Sequence, residues 1–180
     1  MSALVNVFQS AQLWLYRHSR QYKHRDSMDL HSQIQNTSKV LVCMPVNEEN
    51  VHPAKDLVVS LSQFYPKWQI TLTYDERTSM HALAEKFQCY TFKEEDLSFF
   101  GKPKKQLMRT LTALKPDVAF DLNHDFNFTT LSLVWNSRAA IRVGFYHEIR
   151  KDFYNFLFRK KPETTVERSY HMLYNYFKAL

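Results

Sequence analysis

The sequence predicts a three-layer α/β domain with a mainly parallel sheet, preceded by an N-terminal amphipathic helix. Three observations carry this. Short apolar runs without the alternation of a half-solvated strand, "KVLVCMPV" (39–46) above all, read as strands buried on both faces. Between them, apolar residues recur at three- and four-residue spacing, the mark of helices. The two types alternate along the chain, which implies parallel pairing through right-handed crossovers. A length of 180 residues, 44% of them apolar and 15% aromatic, suffices for one domain with a sizeable core.

In chain order, residues 3 to about 24 read as a helix with Leu4, Val7, Phe8, Ala11, Trp14, Leu15 and His18 on one stripe. Arg17, Arg20, Lys23 and Arg25 crowd its C-terminal end, where cations suit the helix dipole. A polar linker, "RDSMDLHSQIQNTS", completes a first region of residues 1–38, and 39–180 form the α/β domain. After the strand at 39–46, a helix led by Pro53 runs to about 65 and carries Leu57, Val58, Leu61 and Phe64. "WQITLTY" (68–74) is the second strand, and a helix near 78–87 leads to the short strand "CYTF" (89–92). A helix over about 103–114 with Leu107, Leu111 and Leu114 is stopped by Pro116, and "DVAFDL" (117–122) is the next strand. "FTTLSLVWNS" is helical and "IRVGF" (141–145) extended. Beyond 146, a hairpin-like segment places the aromatics of "DFYNFLF" on an edge strand. A closing helix over about 163–180 buries Val166, Tyr170, Leu173, Tyr174 and Phe177.

A Rossmann-like sheet of this kind binds ligands beyond the carboxyl ends of its strands, so the loops after Val46, Tyr74, Leu122 and Phe145 are where chemistry would lie. The first of these loops, Asn47-Glu48-Glu49-Asn50, has no glycine, although a backbone approached by phosphate normally needs one. With two glycines in the whole chain, neither G-x-G-x-x-G nor G-x-x-x-x-G-K can be written, and no G-x-S-x-G marks a nucleophile elbow. Cys43 and Cys89 have no C-x-x-C partner and read as reduced thiols in apolar surroundings, which suits a cytoplasmic protein. No run of about 18 apolar residues occurs, so no membrane-spanning helix is expected. Gln9 and Gln12 interrupt the N-terminal apolar stretch, and no signal peptide is expected.

Three stretches in this order, "HPAKDLVVSLSQFYPKWQITLTYDER", "KPDVAFDLNHDFNFTTLSLVWNSRA" and "IRVGF", resemble the N-terminal half of heptosyltransferase-type glycosyltransferases (family 9, GT-B fold). The resemblance covers residues 39 to 146. It implies a first-loop Gly-Asp whose Asp acts as general base on an acceptor hydroxyl. In this sequence Glu49 and Asn50 stand at those positions. Asparagine cannot take up a proton, and a general base is worth about 10²–10⁴-fold, so no catalytic residue is expected in this degenerate loop. GT-B enzymes hold the nucleotide sugar mainly in a second domain, for which 180 residues leave no room; the resemblance thus implies an acceptor half standing alone.

Read without the resemblance, the strand-end residues Asn47, Glu49, Asn50, Asn123, His124, Asp125 and His147 are the ligand-binding candidates. "DLNHD" (121–125) also matches the N-H-[DE] of metallophosphoesterases, but the Asp-x-His that a two-metal site needs on the first strand is missing, so no metal is expected. No cofactor is expected either. Arg138, Arg142, Arg150, Lys151, Arg159, Lys160 and Lys161 outnumber Glu148 and Asp152 in one segment and are the anion-binding candidates. The leading expectation is a non-catalytic glycosyltransferase-like binding or interaction module. The alternatives are a transferase subunit whose donor half lies on a second chain, and a peripheral adaptor at a membrane surface or large assembly. The expected partners are a protein or a second copy docked on the N-terminal helix, or an anionic membrane surface at the inner face of the membrane. Nucleic acid is not expected.

Overall fold

A computed structural model of the chain describes residues 3–18 and 29–180. Its centre is a six-stranded sheet, wholly parallel, in the order β3-β2-β1-β4-β5-β6. The strands are β1 (Lys39–Cys43), β2 (Gln69–Asp75), β3 (Gln88–Phe92), β4 (Val118–Asp121), β5 (Ile141–Phe145) and β6 (Phe156–Phe158). Seven α-helices lie among the described residues: α1 (Ala3–Arg17), α2 (Leu30–Gln35), α3 (Glu48–Phe64), α4 (His81–Ala84), α5 (Lys105–Ala113), α6 (Phe128–Asn136) and α7 (Val166–Lys178). This is the expected three-layer, Rossmann-like α/β fold.

Alternation along the strands divides the core between the two faces. Val40, Val42, Val118, Phe120 and Val143 join one cluster with residues of α2, α3 and α7. Leu41, Cys43 and Ala119 join the other with residues of α1, α5 and α6. Strands buried on both faces are why the sequence shows continuous apolar runs instead of alternation.

Four details depart from the sequence reading. The helix expected to open at Pro53 begins at Glu48, because the Asn47 side chain accepts the Glu49 N–H (3.1 Å) and Glu48 and Glu49 meet the positive end of the dipole. Pro53 falls in the second turn, and Glu49 is exposed, so solvent can take the carbonyl that Pro53 leaves without a donor. The segment read as linker contains α2, whose Ile34 is fully buried, with Asp29 as N-cap. The segment beyond 146 is no hairpin: β6 runs parallel to β5, the chain returning through a 3₁₀ turn at Arg150–Asp152. As expected, β6 is an aromatic edge strand.

The fourth departure concerns α1, which ends at Arg17; its expected continuation to residue 24 lies outside the described residues. The helix packs on the domain by the face opposite the strong apolar stripe. Leu13 and Tyr16 are buried, and the Tyr16 hydroxyl accepts from the Asn136 amide (3.1 Å). Arg17 pairs with Asp152 (2.7 Å) and lies over the Phe153 ring. Val7, Phe8, Trp14 and Leu15 face outward. No described helix is long and apolar enough to cross a membrane.

Candidate functional site

Strand order reverses between β1 and β4, whose following loops therefore diverge and leave a crevice at the carboxyl ends. A cleft of about 250 Å³ lies there, lined by Val46, Asn47, Asn50, Asn123, His124, Asp125, Phe126 and Asn127. It is flanked by two capped helix starts, since Asn127 accepts the Thr130 N–H (3.0 Å) as Asn47 does that of Glu49. Asn50 is buried to 6% exposure in the first turn of α3 and lines the cleft. Of the predicted candidates, five share this cleft. Glu49 does not line it, and His147 stands beside it against the Phe126 ring (5.4 Å).

Under the cleft lies a polar network that the sequence did not reveal. Asp121, fully buried, accepts through Oδ1 from the Asn123 backbone N–H (3.1 Å) and side-chain amide (2.7 Å). Its Oδ2 accepts from Thr130 Oγ1 (3.1 Å) and the Tyr154 hydroxyl (2.7 Å) and lies 3.4 Å from Arg150 Nη2. Asn123 Oδ1 accepts the Val46 N–H (2.9 Å), tying the β1 loop to the β4 loop. Gly144 suits this packing, because a Cβ there would lie about 3.0 Å from the buried Tyr154 ring, which would have to shift to make room.

Arg150 is the largest correction to the sequence reading. Expected as a surface anion ligand, it is fully buried, and its Nη1 donates to the carbonyls of Asn123 (2.7 Å) and Phe145 (3.1 Å), its Nη2 to that of Asp125 (2.5 Å). Arg142 is likewise internal, with its guanidinium on the carbonyls of Phe153 (2.7 Å) and Ala139 (2.9 Å) and over the Trp135 ring. A planar fork can satisfy several carbonyls that no apolar side chain could. Arg138, Lys151, Arg159 and Lys161 remain exposed and Lys160 half-buried, and Arg138 takes positive φ (61°) just past the end of α6, where glycine is usual.

His124 stacks on Phe145 (3.8 Å), edge-on to Tyr170. The Ser169 hydroxyl donates to Val166 O (2.5 Å), so the Nε2–H of a neutral His124 is the donor in its 3.0 Å contact with Ser169. Burial, with Lys160 and Arg150 adding and Asp125 opposing, lowers the His124 pKa from 6.5 to about 4. The unfolded chain then binds more protons than the folded one between those values, so this group makes stability fall as pH drops from 6.5 towards 4. We expect the His124 ring to titrate near pH 4 by NMR, and His124→Gln to reduce the loss of melting temperature between pH 7 and 4.5. An unaltered loss would detach this residue from acid sensitivity.

Cys43 is no nucleophile: burial, and the charge of Asp121 next, hold its thiol well above the ordinary range. Among the described residues no three His, Cys, Asp or Glu side chains gather as a metal site. Asn123, proposed by the metallophosphoesterase pattern, turns its amide inward to Asp121 and Val46 instead. Asn127 escaped the sequence reading, although an Asn three residues before Thr130 at the head of an apolar run is an N-cap signal.

The model of a family described as a family of unknown function, DUF6913, matches residues 10–180. No curated protein matches the sequence. Among solved structures, the fold is similar to E. coli heptosyltransferase WaaC with ADP, at 13% identity and a TM-score of 0.59, over 77% of this chain and 46% of that one. It is also similar to E. coli ADP-heptose LPS heptosyltransferase II, at 18% identity and a TM-score of 0.55, over 74% of this chain and 39% of that one. The chain thus spans less than half the length of these structures, and the likeness is one of fold.

Proposed function

The chain belongs to the DUF6913 family, and from that premise we propose a non-catalytic, glycosyltransferase-like binding module whose strand-end cleft takes a small, neutral, hydroxyl-rich ligand such as a sugar ring. One observation carries the reading: the side-chain amides of Asn47, Asn50 and Asn127 line the cleft beside His124 and Asp125, while Asn123 is turned inward beneath them and Glu49 stands outside. Amides both donate and accept, which matches hydroxyls and not a bare anion. The volume, about 250 Å³, lies just below the usual range of ligand pockets and suits a single ring. The heptosyltransferase likeness adds that a sugar is the ligand class to try first.

NMR titration of the labelled protein with free pentoses, hexoses and heptoses tests the proposal. The Asn side-chain amides should shift together, and Asn50→Ala should weaken binding about three- to tenfold, the worth of one hydrogen bond. No nucleotide should be released from ADP-sugars. A second reading, a transferase that needs a donor-binding partner chain, rests on the exposed Asp125 carboxylate at the cleft margin. Nucleotide release that Asp125→Asn abolishes would establish that reading and defeat the first.

A further inference from the structure

The five most exposed large apolar side chains among the described residues all lie in one region: Phe99 (83%), Val7 (64%), Trp14 (56%), Leu15 (54%) and Phe8 (51%). Four are on the outward face of α1. The fifth is at the tip of the segment before α5, where Gly101 adopts positive φ (77°) to turn the chain. The two pieces are joined. Phe8 stacks on Phe100 at 3.8 Å, Gln9 donates to the Phe100 carbonyl (3.1 Å), and Phe99 stands edge-on to Phe100. Because Leu13 and Tyr16 already anchor α1 to the domain, this stripe is surplus to the fold. Apolar patches of this kind mark contact sites.

Charge says what covers it. The α1 segment contains no Asp or Glu. Lys102 is exposed and reaches Gln12 of α1 (3.0 Å), and Lys104 and Lys105 are exposed two and three residues further on, at the head of α5. The sequence that follows α1 adds Arg20, Lys23 and Arg25 against Asp26. The acidic run Glu94–Asp96 precedes this tip in sequence; Glu95 pairs with Lys93 (3.0 Å), and the Asp96 carboxylate accepts the Lys93 N–H (3.1 Å). A second copy docked face to face would bring two basic rims into one interface, whereas anionic headgroups neutralise both rim and helix end.

We propose that the outward face of α1 and the Phe99 tip form a docking surface for an anionic lipid bilayer, with Trp14, Leu15 and Phe99 entering the headgroup boundary and the lysines meeting lipid phosphates. This surface is independent of the strand-end cleft.

The test uses the full chain with vesicles of neutral phosphatidylcholine and of phosphatidylcholine with about 30% phosphatidylglycerol. Trp68 and Trp135 are buried, so a change in indole emission reports Trp14. The expected result is co-sedimentation with anionic vesicles, a blue shift of the emission, and loss of both between about 50 and 300 mM salt. Neutralising Lys102, Lys104 and Lys105 to Gln should lower partitioning about 100-fold, at roughly fivefold per cation. Phe99→Ser alone, at an exposed tip, should weaken it without moving the melting temperature. Partitioning equal on neutral vesicles, or unchanged by the lysine substitutions, overturns the proposal. So does a wild-type dimer that Leu15→Ser and Phe99→Ser convert to monomer, which would assign the face to a second copy.

Discussion

Arg150→Ala should destabilise the protein by about 3–5 kcal/mol, the range for removing one partner of a buried ion pair. The side chain holds the Asn123, Asp125 and Phe145 carbonyls and approaches Asp121 with no exposure to solvent. Its loss would leave the carboxylate and three carbonyls facing a cavity. Lysine keeps the charge but not the fork, so Arg150→Lys should fall between alanine and wild type. The midpoint of urea unfolding measures this, and hydrogen exchange over 122–127 should accelerate, since Arg150 fixes the loop that lines the cleft. A shift worth less than about 1 kcal/mol would mean that the network does not hold these loops.

Val118→Asp should abolish the folded state. Val118 is fully buried in β4, paired with Val40 of β1 on one side and Ile141 of β5 on the other. Its side chain lies in the apolar cluster shared with α2, α3 and α7. A carboxyl placed there must stay charged without a partner or take up a proton and lose its hydrogen bonds, a cost of several kcal/mol or more on top of the lost packing. Against a net stability of about 5–15 kcal/mol, little folded protein should remain. Far-UV circular dichroism and NMR dispersion read the outcome. A soluble variant with wild-type melting would remove Val118 from the sheet interior.

How much of this was legible from residues alone depends on how far each feature reaches along the chain. "KVLVC", "VAFD" and "IRVGF" are mostly apolar, with Asp121 and Arg142 the buried exceptions, and the pattern alone places Val42, Val118, Phe120 and Val143 in the core. The order of strands and helices followed, as did the parallel sheet, because hydrophobic periodicity is a local signal that a parallel sheet reads directly. Pro53 puts the expected start of α3 one turn too late, since Asn47 and the two glutamates after it form the local cap. β6 pairs in parallel with β5 instead of closing the expected hairpin-like segment, because nothing local in sequence marks a parallel return.

The sequence by itself determined the fold class, the strand core and the strand-end location of the cleft, since these rest on spacing within a few residues. Only the tertiary structure decided which polar groups are internal and which apolar ones are not. Arg150 and Lys151 are neighbours of the same charge type, yet one is fully buried and the other exposed, because carbonyls from the β4 and β5 loops converge on the first. Likewise Trp14 and Leu13 are adjacent and both apolar, and the sheet face takes Leu13 while leaving Trp14 in solvent. Burial of a side chain is set by partners distant in sequence, and composition carries no record of which partners will meet.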